Sequence, residues 1–191
     1  MITDIILASA SPRREQLLKQ IGLVFRIIPG EVAEDLIEAA APEQYVQKCA
    51  LAKALAVQQQ VDPGDIIIGA DTVVVLDGMI YGKPKDAADA GRMLANLAGR
   101  THSVWSGLAV VSAAGQLTQA VETRVTLAQL SSQQIERYVA SGEPMDKAGA
   151  YAVQGLGATF VERVDGCYYN VVGLPLQTLA QILATLGVAL P

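Results

Sequence analysis

The sequence predicts an α/β domain built on a mixed, twisted β-sheet with flanking helices. Short apolar runs of strand length alternate along the chain with helical patterns, which is the order of elements expected of such a domain. Of the 191 residues, 51% are hydrophobic but only 5% are aromatic, so the core must be built mainly from Ala, Val, Leu and Ile. A chain of this length is expected to form one domain, or two tightly joined lobes.

In the first half of the chain, glycine and proline separate the elements. A helix follows the first strand, and Pro42 opens a longer helix that reaches about residue 59. The dipeptide Asp77-Gly78 indicates a hairpin turn, and Asp86 can cap the next helix. Strands are predicted at residues 5–8 and 25–28, and the strongest strand signal comes from 66–68 together with 73–75.

The second half of the chain continues the alternation. Ser131, with Gln134 three residues later, fits a capping box that starts a helix, and a last helix follows Pro175. The other predicted elements are a hairpin of strands 102–112 and 119–127, a glycine-rich loop over 149–157, and a pair of strands that turns at Asp165-Gly166.

The composition excludes several classes of protein. The formal net charge is −5, with 14 Lys and Arg against 19 Asp and Glu, so a broad nucleic-acid-binding surface is not expected. No apolar run is long enough for a membrane span, and the N-terminus lacks the pattern of a signal peptide. We therefore expect a cytoplasmic protein with no nucleic-acid or membrane partner.

The cysteines and the histidine argue against several kinds of site. Cys49 and Cys167 show no CxxC spacing, so neither a disulfide framework nor a zinc site is indicated, and both are expected to be small core residues. His102 is the only histidine in the sequence, which excludes multi-histidine metal sites. We expect it to be a strand residue with a satisfied ring.

Ser9, Ser11, Arg13 and Arg14 lie between the first strand and a helix that Pro12 would start. Two arginines in a first helical turn oppose the helix dipole, which favours anions at that end. Backbone N–H groups, two hydroxyls and two guanidinium groups together suit a polyphosphate. We favour this interpretation over a solvated arginine pair that is bridged to neighbouring acids.

Lys53 and Asp71 are charged residues in apolar surroundings. Lys53 shares a helical stripe with apolar side chains, so it should meet a carboxylate or a ligand phosphate, unless it extends along its own stem to the solvent. Asp71 interrupts an Ile- and Val-rich strand, where an unpaired carboxylate would be costly. Asp71 is therefore the best single catalytic candidate, Gly69 leaves room for a ligand, and Thr72 adds a hydroxyl.

Two later segments and a metal complete the candidate site. Lys83 adds a cation at a strand end, and the amide of Gln154 offers a donor and an acceptor in the glycine-rich loop, although both segments also fit ordinary loops. Glu34 and Asp71 supply hard oxygen ligands. Since histidine and cysteine clusters are lacking in the sequence, a metal here would be Mg²⁺ or Mn²⁺.

Six short segments, taken together in their order along the chain, form one pattern. They are ASASPRR at 8–14, AKA at 52–54, GADT at 69–72, KP at 83–84, DKAGAY with QG at 146–155, and NVVGLP at 170–175. In this order, and nearly end to end, they resemble the Maf family of nucleoside triphosphate pyrophosphatases. The resemblance implies a fold related to the inosine triphosphate pyrophosphatases, with two lobes around a cleft, and family members commonly dimerise, so a homodimer is an open expectation.

The resemblance also implies an activity, the hydrolysis of a nucleoside triphosphate to the monophosphate and pyrophosphate with a divalent cation. By matching position, Asp71 would be the general base and a metal ligand, and Glu34 a second acid near the metal. The loop at Glu34 departs from the Asp-Glu pairing often seen in the family, so Asp35 or Glu31 are alternatives. The implied phosphate ligands are Arg13, Arg14, Lys53 and Lys83.

The combination of Arg13, Thr72 and Gln154 is similar to the subgroup that acts on dTTP and UTP. The main hypothesis is therefore a house-cleaning pyrophosphatase for dTTP, UTP and modified pyrimidine triphosphates. Two alternatives stay open: the subgroup that acts on 7-methyl-GTP, and a regulator of cell division that binds a triphosphate without hydrolysing it. An acid set in an apolar strand favours catalysis over binding alone.

Overall fold

The computed structural model describes residues 4–33 and 37–190. The strands are β1 (Ile5–Leu7), β2 (Arg26–Ile27), β3 (Ile66–Leu76), β4 (Met79–Tyr81), β5 (Thr101–Ser112), β6 (Gly115–Leu127) and β7 (Val161–Asp165). The α-helices are α1 (Pro12–Gln20), α2 (Pro42–Gln58), α3 (Ala87–Leu97), α4 (Ser132–Ala140), α5 (Tyr168–Val172) and α6 (Leu176–Thr185). Short 3-10 helices form at Glu143–Asp146, Ala148–Ala150 and Gly155–Phe160.

The strands form one mixed sheet. Its hydrogen-bonded order is β2-β1-β3-β5-β6-β7, with β4 paired to β3. β1 is parallel to both β2 and β3, whereas β3 and β4 are antiparallel, as are β6 and β7. Helices cover the apolar side chains of the strands, as the two hydrophobic clusters described below show. The predicted α/β fold class is confirmed.

The chain divides into two compact units. The first comprises Met1–Asp71, Ser106–Val121 and Gly173–Pro191, and the second comprises Thr72–Trp105 and Glu122–Val172. The first unit has a core of small and branched side chains from β1, α2, β3 and β5: Ile6, Ala8, Ala50, Ala54, Val57, Ile67, Ala109 and Val111. In the second unit, α3, α4 and residues 143–160, which we call the late segment, pack on the strands through larger side chains, which include Met93, Leu94, Leu97, Tyr138, Tyr151 and Phe160.

Helix α2 lies unusually close to the backbone around it. A Cβ atom built on Gly107 would lie 2.0 Å from the carbonyl oxygen of Val46, and one on Gly69 would lie 2.1 Å from that of Ala50. A third glycine, Gly30, makes the same approach, 2.1 Å from the carbonyl oxygen of Lys53. The three carbonyls lie at i, i+4 and i+7, so they share one side of the helix. Glycine is required at all three positions because any side chain would overlap the helix backbone.

Two local expectations about residues 161–172 were wrong. The predicted strand pair around Gly166 does not form, because the strand before it, β7, pairs with β6 and the residues after it enter α5. The hydroxyl of Thr123 accepts the N–H of Cys167 and donates to its carbonyl, while the Asn170 amide donates to the carbonyl of Val104. These bonds favour a helical turn. Cys167 is half-buried and so is not a core residue, whereas Cys49 is fully buried as expected.

Over the part of the chain that the structure describes, none of the helices combines the length and the apolar character that crossing a membrane would need.

Gly107→Ala is expected to lower the free energy of unfolding by about 1–3 kcal/mol, since α2 must move to accept the new methyl group. The control is Gly64→Ala, because nothing lies within 4 Å of a Cβ there and Gly64 lies outside the left-handed region. We expect that change to be neutral or to stabilise by about 0.4–1 kcal/mol. Urea unfolding of both variants measures the difference. Equal stabilities would contradict the proposed contact between α2 and β5.

Candidate functional site

Lys53 and Asp71 form a nearly buried ion pair in the first unit. The Lys53 Nζ lies 2.6 Å from Oδ1 of Asp71, and the two side chains are 12% and 8% exposed. Of the alternatives predicted for Lys53, which were a carboxylate, a ligand phosphate and extension to solvent, the structure shows the first. Because desolvating either charge alone is costly, each makes the burial of the other tolerable.

The close approach of α2 to β3 positions this pair. Gly69 precedes Asp71 by two residues, so both lie on the same face of β3, and Ala50 precedes Lys53 by three, so both lie on one side of α2. When the carbonyl of Ala50 settles on Gly69, the next turn of the helix brings Lys53 over the carboxylate. The sequence predicted that Gly69 leaves room for a ligand. This is wrong, because the helix backbone fills that space.

The start of α1 gathers hydroxyl and guanidinium groups. The buried Ser9 hydroxyl accepts the Ser11 N–H at 3.2 Å and the Nη1 of Arg14 at 3.0 Å. The Nε of Arg14 also donates to the Gly173 carbonyl at 2.9 Å, which ties this turn to the segment before α6. Ser11 is the N-cap residue of α1, and its side chain makes no capping hydrogen bond among the described residues. Arg13 follows in the first turn and is half-buried.

The two groups of residues belong to neighbouring parallel strands. Leu7 of β1 pairs with Ile68 of β3. Ser9 lies two residues after Leu7, just beyond the end of β1, and Asp71 lies three residues after Ile68, within β3. The carboxyl ends of adjacent parallel strands are where α/β sheets commonly bind ligands. The first unit therefore brings hydroxyls, a guanidinium and a carboxylate to one edge of the sheet.

Thr72, Lys83 and Gln154 belong to the second unit. Thr72 lies two residues before Val74 on one face of β3, and a Cβ on Gly149 would lie only 2.9 Å from the Val74 side chain. The Gly149 N–H donates to the Gly82 carbonyl at 3.0 Å, which holds the late segment beside the residue before Lys83. Lys83 and Gln154 are both exposed.

His102, the lone histidine, contacts the late segment through Tyr151. His102 is buried in β5, and its Nε2 lies 2.8 Å from the hydroxyl of Tyr151, with the two rings edge to face. The prediction that the ring is satisfied is only partly correct: Nε2 has a hydrogen-bond partner, whereas Nδ1 has none among the described residues. Burial lowers the pKa of His102 to about 4, so the ring is neutral at physiological pH. Burial likewise raises the pKa of Tyr151.

The second predicted metal ligand, Glu34, and its alternative Asp35 lie outside the described residues. Within the described ranges, no group of three or more His, Cys, Asp and Glu side chains is placed to hold a metal ion. A single carboxylate such as Asp71 still fits Mg²⁺, because this ion is commonly held by one or two carboxylates, with substrate phosphates and water supplying its other ligands.

Comparison with known proteins gives a match over nearly the whole chain. The family model described as Maf-like protein matches residues 4–186. A dTTP/UTP pyrophosphatase of Gloeobacter violaceus is 52% identical over 96% of both chains. One from Dictyoglomus turgidum is 50% identical over the full length of both chains, and one from Symbiobacterium thermophilum is 49% identical over 96% of this chain and 94% of that one.

Among solved structures, the chain is similar to the Ham1 protein of Staphylococcus aureus. The identity is 15%, the TM-score is 0.47, and the match covers 83% of this chain and 80% of the other. A likeness at this TM-score adds nothing to the fold already described.

The Lys53–Asp71 pair should show strong energetic coupling. In a double-mutant cycle of Lys53→Met and Asp71→Asn, each single change leaves a poorly compensated polar group, so we expect the double variant to be more stable than additivity predicts by about 1–3 kcal/mol. The control cycle uses the exposed Arg100–Asp77 pair, whose side chains are 47% and 59% exposed. Its coupling should stay below about 1 kcal/mol. Equal coupling in the two cycles would refute the buried pair.

Proposed function

Because the chain belongs to the Maf-like protein family, we propose that it is a nucleoside triphosphate pyrophosphatase acting on dTTP and UTP, and on modified pyrimidine triphosphates. Three relatives that are 49–52% identical over nearly their whole length bear the name dTTP/UTP pyrophosphatase. The products would be the nucleoside monophosphate and pyrophosphate. A nucleoside triphosphate substrate agrees with the cytoplasmic location expected from the sequence, where such an enzyme would remove unwanted nucleotides from the nucleotide pool.

The observation that carries this proposal is the Lys53–Asp71 pair. A protein that only binds a triphosphate needs cations, and a nearly buried carboxylate that faces the phosphates directly would oppose binding, since like charges repel. A hydrolase needs that carboxylate to accept a proton from water. The pairing at 2.6 Å through Oδ1 is compatible with this role, because a carboxylate has about four acceptor positions and Lys53 occupies one.

In the proposed reaction, water attacks the α-phosphorus in line with the leaving pyrophosphate. A bond forms between the water oxygen and phosphorus, the bond from the α-phosphorus to the oxygen bridging to the β-phosphate breaks, and the water proton passes to Asp71. Negative charge builds on the leaving group and is neutralised by nearby cations. We assign Lys53 and Lys83 to this role.

We propose that the triphosphate binds at the start of α1. Ser9, Ser11, Arg13 and Arg14 offer hydroxyl and guanidinium donors, and a helix N-terminus favours an anion. The contacts of Arg14 to Ser9 and Gly173 support this assignment, since they hold its guanidinium group in a fixed orientation at the strand end. A rigid donor loses less entropy on binding than a mobile one.

Asp71 and Glu34 are the residues that we propose to hold a divalent cation. When bound, Mg²⁺ or Mn²⁺ would neutralise phosphate charge and make the attacking water more acidic.

Gln154, with Arg13 and Thr72, is the proposed determinant of base choice. A primary amide can pair with the N3–H and O4 of uracil or thymine, whereas cytosine presents an acceptor and an amino group at the same edge. The exposed position of Gln154 supports this role, since its amide is accessible to a ligand.

Asp71→Asn should reduce kcat for UTP by about 10²–10⁴-fold, because the amide cannot take the water proton. The assay measures pyrophosphate release from dTTP, UTP, CTP, GTP, ATP and 7-methyl-GTP with Mg²⁺ or Mn²⁺. Asp77→Asn is the matched control, since Asp77 is exposed in a hairpin turn. Binding of all triphosphates without turnover by the unaltered protein would indicate the regulator, and a preference for 7-methyl-GTP would indicate the other subgroup.

Gln154→Ala should lower the ratio of kcat/KM for UTP to that for CTP by about tenfold, the value of one lost discriminating hydrogen bond. Binding of pyrophosphate, which has no base, should be unchanged. The exposed Gln133 on α4 gives a control in Gln133→Ala. If Gln154→Ala instead weakens UTP and CTP hydrolysis equally, the base-reading assignment is wrong.

A further inference from the structure

Glu143 makes a set of hydrogen bonds to the segment that carries Gln154. Its Oε2 accepts the N–H of Leu156 at 2.9 Å, and its Oε1 accepts the N–H of Gly157 and the hydroxyl of Tyr138, both at 2.9 Å. All of these residues belong to the second unit. The carboxylate therefore joins the end of α4 to the 3-10 helix Gly155–Phe160.

The hydrogen bonds from the N–H groups of Leu156 and Gly157 to Glu143 cap the start of the 3-10 helix, and the capping side chain comes from outside that helix. An N-cap residue commonly turns its own side chain back to accept the N–H groups of the first turn. Here the N-cap residue of the 3-10 helix is Gln154, and within the described chain its side chain makes no capping hydrogen bond. Because Glu143 satisfies the N–H groups instead, the amide of Gln154 is not needed for the helix start.

Tyr138 fixes the other side of Gln154. Its hydroxyl, while donating to Glu143, accepts the N–H of Ala152 at 3.1 Å. Its ring is buried and packs edge to face on Phe160, with the ring centres 4.9 Å apart. The backbone is thus held two residues before Gln154 and two to three residues after it.

Two further observations show that the site is built around the carboxylate. Gly155 has φ +71°, which favours glycine, and a Cβ there would lie 2.5 Å from the Oε2 of Glu143, so a side chain at this position would displace the carboxylate. Burial by itself would raise the pKa of Glu143, but the N–H bonds from Gly157 and Leu156, the Tyr138 hydroxyl and the charge of Lys147 together lower it. The bonds are therefore made to an ionised carboxylate at neutral pH and are lost only in acid.

We infer that Glu143 and Tyr138 are positioning residues for base discrimination, because they hold the backbone on both sides of Gln154 and leave its amide for the pyrimidine. This inference rests on the proposed function. Neither residue touches the substrate in this scheme. Their effect on specificity passes through the placement of Gln154.

The test compares kcat/KM for UTP and CTP in the full-length protein carrying Glu143→Gln. This change keeps the side-chain volume but puts an NH₂ group against a backbone N–H. We expect the UTP to CTP ratio to fall about tenfold, with kcat for UTP changing less than about threefold, as for the loss of one hydrogen bond. Tyr138→Phe should lower the same ratio, which keeps the test available if Glu143→Gln does not fold.

The matched control is Glu136→Gln, which removes the same charge from an exposed position on the helix that carries Tyr138. Its ratio should equal that of the unaltered protein. Hydrogen exchange supplies a second readout: the amides of Leu156, Gly157 and Ala152 should exchange faster in Glu143→Gln than in Glu136→Gln.

The outcomes separate the two proposals. If the unaltered protein prefers UTP and Glu143→Gln lowers both kcat/KM values equally, Glu143 is only structural and this inference is overturned while the proposed function stands. An unchanged ratio in both Glu143→Gln and Tyr138→Phe overturns it too. If the unaltered protein hydrolyses no triphosphate, the proposed function falls and takes this inference with it.

Discussion

The position of α2 against the sheet is the constraint on which the first unit depends. Three of its carbonyls rest on three glycines: Val46 on Gly107, Ala50 on Gly69, and Lys53 on Gly30. Two of these contacts are with adjacent strands and the third is with the loop after β2, so they fix both the direction of the helix and its rotation about its own axis. The small side chains of Ala50 and Ala54 complete the fit. A helix docked in this way has no freedom to turn Lys53 away from Asp71.

An ion pair in such surroundings is a poor device for stability alone. Burying both charges costs several kcal/mol, and apolar side chains of similar volume often serve a fold as well or better. The first unit already has a well-packed apolar core around Ala54, Val57 and Ile67, all at most 2% exposed. The pair is therefore best understood through its chemistry, as a carboxylate kept at the edge of the sheet by a cation that arrives from the helix.

Sequence reasoning reached the fold class because the apolar runs and the capping signals are local. It also placed Lys53 on an apolar stripe from helical periodicity, and Asp71 in apolar surroundings from the Ile- and Val-rich run on either side of it. It failed after Asp165, where Thr123 and Val104, more than 40 residues away, supply the bonds that favour a helix over a strand. The use of Gly69 was missed for a related reason, since a glycine in a strand signals only that something approaches closely. The long-range hydrogen bonds of Glu143 leave no trace in the local sequence pattern, and this residue was not predicted from the sequence.

The cap that Glu143 supplies has a consequence for how this scaffold can diverge. An N-cap residue commonly uses its own side chain to accept the first N–H groups of its helix. Here the N-cap position and the accepting side chain belong to different residues, because the acceptor for the N–H groups of Leu156 and Gly157 is Glu143, in the 3-10 helix that follows α4. The side chain at position 154 is therefore not needed to start this helix. A descendant of this chain can therefore exchange the side chain that we propose to contact the base, and keep the start of this 3-10 helix as it is.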